Sequence, residues 1–220
     1  MPKDLMLDQL IFSHNVPQDS LYQAARLLAQ FYYHQSSLYP EPTVFISNLK
    51  ENLEKNFEEL ASFTLPFLLK RSILTKQQLY LSAHHLLFEK RISQGCIKEV
   101  HGDLRPEHIC LKSPPVIIDC LEFNAALRSL DIADELAYFS VECEAFNASW
   151  IPPFFWSTYQ AVNGDDVPGH MRNFYKSYRA VLRALLAIRH TMEKNYRDKQ
   201  HYLAQTLAYL QLAEKYSLAL

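Results

Sequence analysis

Apolar residues recur at intervals of three and four along most of the chain, which predicts a mainly helical protein. Asp19 or Ser20 is the expected cap of the first of these helices. The fourth is expected to span about residues 169–189. The buried faces predicted in this way are Leu21, Ala24, Leu27, Leu28 and Phe31; Phe45, Leu49, Leu53, Phe57 and Leu60; Ile132, Leu136, Phe139, Cys143 and Phe146; Phe174, Tyr178, Val181, Leu182, Leu185 and Ile188; and Leu203, Leu207 and Leu210.

A further helix is predicted from its opening residues. Thr75-Lys76-Gln77-Gln78 has the order of a capping box. We expect this helix to place Leu79, Ala83, Leu86 and Leu87 on one face and to end near Gly95, after the basic pair Lys90-Arg91.

Three short β-type runs interrupt the helical pattern: Ile97–Val100, Ile109–Leu111 and Val116–Ile118. Residues 112–115 supply a turn between the last two, and residues 39–42 and 163–169 have loop composition. The predicted fold class is mainly α with small β-hairpins (α+β). Residues 19–215 form one predicted helical domain after an N-terminal extension, residues 1–18.

Composition and charge argue against several classes of protein. Hydrophobic residues make up 49% of the 220, enough for a sizeable core, and the net charge of −2 with no basic block argues against nucleic-acid binding. No apolar run approaches membrane-spanning length, so no membrane partner is expected. The first residues lack the order of a secretory signal, and the four cysteines lack the spacing of a disulfide framework. We therefore expect a cytoplasmic protein with reduced thiols.

One segment carries candidate chemistry: His101-Gly102-Asp103-Leu104-Arg105-Pro106-Glu107-His108, with Ile117-Ile118-Asp119 following. Phosphoryl transfer to a hydroxyl needs a carboxylate that orients or accepts the hydroxyl proton, and metal ions that neutralise phosphate charge. Asp103 suits the first role and Asp119 the second. Arg105 can pair with a phosphate or with a neighbouring acid. The alternative for Asp103 is a plain turn residue or helix cap.

This segment resembles the protein-kinase catalytic loop H-x-D-L-x-x-x-N, with His108 at the Asn position. It is also similar to the aminoglycoside phosphotransferase family, in the branch often fused to a P-loop ATPase module. The similarity continues through 117–124, Leu127-Arg128, Asp131, 134–137 and Tyr178-Arg179-Ala180, and covers about residues 19 to 190. It implies a protein-kinase-like C-terminal lobe that transfers the ATP γ-phosphate to a small-molecule hydroxyl.

The resemblance implies roles for individual residues. Asp103 matches the catalytic base, with Arg105 beside it, and Asp119 matches the acid that binds Mg²⁺. His108 stands where relatives place a metal-binding Asn. Because imidazole is a softer ligand than an amide oxygen, His108 is a weak metal ligand or a donor to the phosphates of ATP.

Three further residues are candidate supports of the loop. His101 belongs to the motif itself. Asp134 matches a family acid that braces the catalytic loop through backbone hydrogen bonds, although an acid in the first turn of a helix is equally satisfactory there. Glu122 is a candidate support or metal group, with a solvated carboxylate as the alternative.

The sequence departs from the family in its nucleotide-binding region. It contains four glycines and neither G-x-G-x-x-G nor G-x-x-x-x-G-K-[ST]. About eighteen residues precede the first helix, too few for the smaller lobe that covers the nucleotide in this family. We therefore expect the C-terminal lobe alone, with weak or no kinase activity unless another chain or domain supplies the missing lobe.

Two other functions compete with phosphoryl transfer. A zinc hydrolase has possible ligands but no recognised spacing of them: His84, His85, His101, His108, Cys110 and Cys120. A non-catalytic scaffold, either a truncated gene product or a partner-binding lobe, would expose apolar surface. The candidates for that surface are Phe12, Val16 and Phe31-Tyr32-Tyr33.

Overall fold

The structure, a computed structural model, describes residues 1–65, 70–122, 125–192 and 198–220. It is mainly helical with small antiparallel sheets, as the hydrophobic pattern predicts. The chain divides into two compact units: unit 1 comprises Met1–Tyr39 and Gln94–Pro168, and unit 2 comprises Pro40–Ser93 and Gly169–Leu220. The predicted boundary between residues 1–18 and 19–215 stays a prediction. Within the described ranges, each helix is too short or too polar to cross a bilayer.

Unit 1 combines four helices with five short strands among its described residues. The helices are α1 (Leu7–Phe12), α2 (Gln18–His34), α6 (Ile132–Ala145) and α7 (Pro152–Asn163). The strands are β1 (Ser37–Leu38), β2 (Ile97–Glu99), β3 (Ile109–Cys110), β4 (Val116–Ile117) and β5 (Ser129–Asp131). Two antiparallel sheets result, β1-β2-β5 and the β3-β4 hairpin. The candidate loop runs from the end of β2 to the start of β3, so both sheets hold its ends.

Register fixes both ends of that loop. In the three-stranded sheet Lys98 of β2 lies between Ser37 and Leu130. In the hairpin Ile109 pairs with Ile117. The N-terminal segment joins the same hairpin, because the amide of Leu111 donates to the carbonyl of Leu5 at 2.8 Å.

Unit 2 contains α3 (Pro42–Ala61), α4 (Ser72–Ala83), α5 (His85–Ser93), α8 (Gly169–Arg189) and α9 (Lys199–Ser217). Small polar residues link its helices at buried positions. The amide of Gln77 donates to Ser177 Oγ at 2.8 Å, and Ser177 Oγ donates to the carbonyl of Ala213 at 2.9 Å. These bonds tie α4, α8 and α9 together.

Most predicted helices are confirmed. Helix α8 has the predicted bounds, and α3 buries Leu49, Leu53, Phe57 and Leu60 as its stripe predicts. The three predicted β runs form β2, β3 and β4. Helix α7 was not predicted, because its apolar residues Phe155, Trp156 and Tyr159 follow two prolines, which the pattern does not distinguish from a loop.

The predicted capping box at Thr75 is wrong. Helix α4 begins three residues earlier, at Ser72, and the Thr75 hydroxyl donates backwards to the carbonyl of Arg71 at 3.3 Å. The face that α4 buries is consequently Ile73, Leu74, Gln77, Tyr80 and Leu81. Leu79 and Leu86, predicted to be inward, are 64% and 67% exposed.

Candidate active site

The candidate loop turns sharply at Gly102. Its φ of +84° lies in the left-handed region, which glycine adopts without steric cost. A Cβ atom here would also lie 3.1 Å from Arg128 Cγ and 3.1 Å from Leu121 Cδ1. The backbone angle therefore favours glycine before Asp103, and a Cβ atom there would require Arg128 or Leu121 to shift by a few tenths of an ångström.

Glu135, in the first turn of α6, accepts hydrogen bonds from the backbone of the candidate loop. Its Oε1 accepts the amide of His101 at 3.0 Å, and its Oε2 accepts the amide of Gly102 at 2.5 Å. The hydroxyl of Tyr32, on α2, donates to Oε1 at 2.6 Å. The family resemblance implies this bracing for Asp134, with a plain acid in the first helical turn as the alternative; at these two amides the acceptor is Glu135. Asp134 is buried one position earlier in the same helical turn.

The side chains of Glu135 and Tyr32 are both buried. Burial raises the pKa of Glu135, while its bonds from Tyr32, Gly102 and His101 act in the opposite direction. Burial, and then the charge of Glu135, raise the pKa of Tyr32 well above its usual value. Lys98 Nζ donates to the Tyr32 carbonyl at 2.7 Å, and burial lowers the pKa of Lys98. Helix α2 is thus fixed to both the loop and β2.

His101 connects the loop to the segment after β4. Its Nε2–H donates to the carbonyl of Ile118 at 2.7 Å, and its Nδ1 accepts the amide of Asp103 at 3.3 Å. The amide of Leu121 donates to the His101 carbonyl at 3.1 Å. These bonds set the spacing between Asp103 and the segment that carries Asp119.

Both carboxylate oxygens of Asp103 have partners. The hydroxyl of Tyr138, on α6, donates to Oδ1 at 2.8 Å. Arg105 Nε and Nη2 each lie 3.1 Å from Oδ2. The Asp103 side chain remains 27% exposed, so solvent or a substrate can reach it.

Arg105 makes polar contacts with three other side chains of the loop. Its Nη1 donates to Glu107 Oε1 at 2.7 Å, and its Nη2 donates to His108 Nε2 at 2.9 Å. The second oxygen of Glu107 is buried and has no hydrogen-bond partner among the described residues. One guanidinium therefore orders the base candidate, a neighbouring acid and His108 together.

His108 lies beside both candidate acids. Its Nδ1–H donates to the Asp103 carbonyl at 2.7 Å, which leaves the Nε2 lone pair for Arg105. Nε2 also lies 3.3 Å from Asp119 Oδ2. His108 is buried, and both ring nitrogens have protein partners. To bind a metal ion, Nε2 would have to give up Arg105.

Asp119 projects from the end of the hairpin. Its backbone has a φ of +63°, a conformation that Asp tolerates better than most residues, and its side chain is 75% exposed. The amide of Ile118 donates to the His108 carbonyl at 2.9 Å, which fixes the strand end from which Asp119 projects. The described residues contain no group of three or more His, Cys, Asp or Glu side chains that could hold a metal ion. An exposed carboxylate of this kind suits Mg²⁺, which uses one or two carboxylates together with water and phosphate oxygens.

The remaining predicted support, Glu122, is exposed and makes no side-chain hydrogen bond within the described part of the chain. Phe123 and Asn124, which complete the family motif, lie outside the described residues. Arg128 holds this segment instead, because its Nη1 donates to the Leu121 carbonyl and its own carbonyl accepts the amide of Val100 at 2.9 Å.

Sequence reasoning missed three residues of this site: Tyr32, Glu135 and Tyr138. Each lies on a helix and reaches the loop through a polar side chain. Tyr138 follows Glu135 by three positions, so the two share one face of α6. That spacing of an acid and a tyrosine on one helix face was the available signal.

No protein-family model matches the chain. The chain is similar to Uncharacterized protein Rv2004c of Mycobacterium tuberculosis and to Uncharacterized protein Mb2027c of Mycobacterium bovis. Each is 38% identical to it over 106 residues, which are 48% of this chain and 21% of the relative. The match therefore spans about a fifth of the length of these curated relatives.

Proposed function

We propose that this chain is the catalytic lobe of a phosphotransferase, similar to the C-terminal lobe of the aminoglycoside phosphotransferases and protein kinases. It would transfer the γ-phosphate of ATP to a hydroxyl of a small molecule. One observation carries this proposal: Asp103 and Asp119 both lie beside His108, whose Nδ1–H donates to the Asp103 carbonyl at 2.7 Å and whose Nε2 lies 3.3 Å from Asp119 Oδ2. A base and a metal-binding acid on adjoining segments are what phosphoryl transfer requires.

Asp103 is the proposed base. Tyr138 holds one of its oxygens, so the other is the one that faces an incoming hydroxyl. That oxygen now bonds to Arg105, which must shift toward the transferring phosphate when the hydroxyl arrives. The hydroxyl proton passes to Asp103 as the oxygen–phosphorus bond forms and the bond to the leaving ADP breaks. Arg105 then lies where it can stabilise the developing charge.

Asp119 is the proposed metal-binding acid. Its exposed carboxylate would be a ligand of a bound Mg²⁺, which proteins hold with one or two carboxylates together with water and phosphate oxygens. A bound Mg²⁺ would neutralise phosphate charge. We assign His108 the part of fixing the Asp103 backbone and Arg105, since its Nδ1–H donates to the Asp103 carbonyl and its Nε2 accepts from Arg105.

The nucleotide phosphates need donors that this sequence does not provide. Its 220 residues include no glycine-rich phosphate loop. We therefore propose that another domain or chain supplies this region. Because catalysis here depends on positioning and charge stabilisation, the chain alone should turn over ATP slowly or not at all.

Calorimetric titration of the chain with ADP, with and without Mg²⁺, tests the proposal independently of turnover. We expect weak binding that Mg²⁺ strengthens, and loss of the Mg²⁺ effect in Asp119→Asn. The control Asp19→Asn, an exposed acid on α2, should behave as wild type. ADP affinity that is the same with and without Mg²⁺, and the same in wild type and Asp119→Asn, would exclude this metal site.

An assay with labelled ATP tests activity directly. Rapid phosphate transfer that disappears in Asp103→Asn would contradict our expectation of low activity and would establish Asp103 as the base. Turnover that survives Asp103→Asn would exclude the assigned role.

A partner-binding lobe without catalysis is the second candidate. It is favoured by exposed aromatic side chains at Phe12, which is 85% exposed, and Tyr33, which is 61% exposed. Sedimentation velocity distinguishes it: self-association that Phe12→Ser abolishes would support the binding role.

A further inference from the structure

A cavity of about 670 Å³ lies in unit 1 beside the start of the candidate loop. Its lining includes Val100 and His101 at the end of β2 but none of Asp103, Arg105 and Asp119. The cavity is therefore separate from the proposed base and metal ligand. Its volume falls within the range of small-molecule sites.

Most of the lining is apolar. Helix α2 contributes Leu27 and Phe31, one turn apart, and the hairpin contributes Pro115, Val116 and Ile117. The hydrophobic pattern predicts Leu27 and Phe31 as core residues, yet they are 39% and 38% exposed. A ligand in the cavity would cover apolar surface that the fold leaves open.

The polar lining consists of Gln35, Glu99, His101, Cys120, Glu122 and Arg128, and its two acids outnumber its one arginine. Gln35 and Glu122 line it, and neither side chain has a hydrogen-bond partner within the described part of the chain. Glu99 and Arg128 also line it and lie 3.4 Å apart as an ion pair. Arg128 is further engaged by the Leu121 carbonyl. Glu122 is thus the charge that remains for a ligand, and it is negative.

We propose that this cavity binds a small amphipathic molecule with an apolar body and a cationic amine. The apolar body packs between α2 and the hairpin, and the amine lies at Glu122 with the Gln35 carbonyl as a second acceptor. This site does not depend on the phosphotransferase proposal, because Asp103, Arg105, His108 and Asp119 do not line it, although it shares His101 and Glu122 with the candidate supports of the loop.

The position of the cavity suggests what its ligand would influence. Val100 and His101 lead directly into the loop, and Arg128 packs where Gly102 would carry a Cβ. An occupant therefore contacts the residues that fix the start of the loop. Binding should increase the protection of the amide of His101 against hydrogen exchange.

Three matched probes test the site on the full chain: phenethylamine, its neutral counterpart phenethyl alcohol, and the anion phenylpropionate. We expect NMR titration to shift resonances of Val100, Val116 and Ile117, with phenethylamine binding at least fivefold more tightly than phenethyl alcohol. Phenylpropionate should bind most weakly. Equal affinity for all three probes, tightest binding of the anion, or shifts outside the cavity would overturn the proposal.

Two variants separate the apolar and the charged contributions. Leu27→Gln should weaken both phenethylamine and phenethyl alcohol several-fold, whereas Glu122→Gln should remove only the preference for the amine. Leu79→Gln, which changes an exposed leucine of unit 2, is the control and should alter neither affinity. Both test positions are partly or fully exposed, so the variants should fold, and circular dichroism verifies this.

Sedimentation velocity examines a different occupant. If the chain is a dimer that Leu27→Gln dissociates, a second copy covers the cavity and the small-molecule proposal fails. A monomer with phenethylamine binding as described supports it.

Discussion

The helix pair α8 and α9 in unit 2 and the candidate loop in unit 1 are ordered by different interactions. Helix α8 buries side chains such as Phe174, Val181 and Leu185 along one face over its 21 residues. The loop from His101 to His108 is instead held by hydrogen bonds that Glu135 accepts from its backbone and that Arg105 donates to its side chains. Packing sets the stability of the first region, and a few polar atoms set the geometry of the second.

The difference separates two kinds of mutational effect. Losing an apolar side chain from α8 should lower the free energy of unfolding and leave the loop geometry intact. Losing a polar atom below the loop should cost less stability and change the position of Asp103. Substitutions in both regions test whether stability and loop geometry depend on separate residues.

Leu185→Ala should have the largest effect on stability. Leu185 is fully buried in unit 2, so the change leaves a cavity and should lower the free energy of unfolding by about 3 kcal/mol. Chemical denaturation measures this loss. The amide shifts of His101 and Gly102 should stay unchanged, whereas a shift in either would show that the two regions are coupled.

The same contrast explains what the sequence could predict. Helix α8 repeats its apolar residues with the helical period, and each position adds evidence for the same buried face. Its bounds and inward residues were predicted for that reason. The β3-β4 hairpin was predicted because a turn separates two short β-type runs.

The loop motif was recognisable, but its supports were not. Glu135 and Asp134 are neighbours in α6, and this helix is buried around its circumference from Ile132 to Cys143. Periodicity therefore cannot tell which acid faces the loop. Tyr32 and Glu135 are 103 positions apart in sequence, so only the tertiary fold brings them together.

Gly102→Ala should have the second largest effect. The positive φ and the neighbours at 3.1 Å together should cost about 2 kcal/mol or more. Gly164→Ala is the matched control, because Gly164 has a φ of +70° but no heavy atom within 4 Å of the position that a Cβ would take. Gly164→Ala should therefore lose only the stability that the strained backbone conformation costs. Equal losses in thermal or chemical unfolding would mean that close packing at Gly102 is unimportant.

Glu135→Gln should cost about 1–2 kcal/mol, because Gln replaces one of the two oxygens that accept the amides of His101 and Gly102 with an NH₂ donor. Hydrogen exchange should show loss of protection at both amides. Asp134→Asn provides the comparison, since the sequence pointed to Asp134 for this role. It should leave the protection of these two amides unchanged, and the opposite result would return the bracing role to Asp134.

This variant also carries a pH prediction. Burial raises the pKa of Glu135 above its ordinary value of 4.5, so the folded state binds a proton more tightly than the unfolded state. The stability that this group contributes is therefore greatest below pH 4.5 and decreases as the pH rises through the folded pKa. The stability difference between wild type and Glu135→Gln should shrink over that range. A difference that grows with pH would contradict the raised pKa.

His170→Asn should give the smallest effect, because the position is exposed in unit 2. The hydroxyl of Tyr80 donates to His170 Nδ1 at 2.6 Å, and burial followed by the nearby His84 lowers the pKa of His170. The folded state thus binds a proton less readily, so this stabilisation is present above about pH 6.5 and is lost as the pH falls through the lowered pKa. Asn keeps an acceptor for Tyr80 but does not titrate, and the variant should lose stability less steeply than wild type between about pH 7 and 5.

Chemical denaturation at several pH values measures that slope. His85→Asn, at another exposed histidine of unit 2, is the control and should retain the wild-type slope. The same slope in wild type and His170→Asn would show that the pH response of unit 2 arises elsewhere. Glu135→Gln would then remain the test of the pH response of unit 1, at the buried acid that accepts the loop amides.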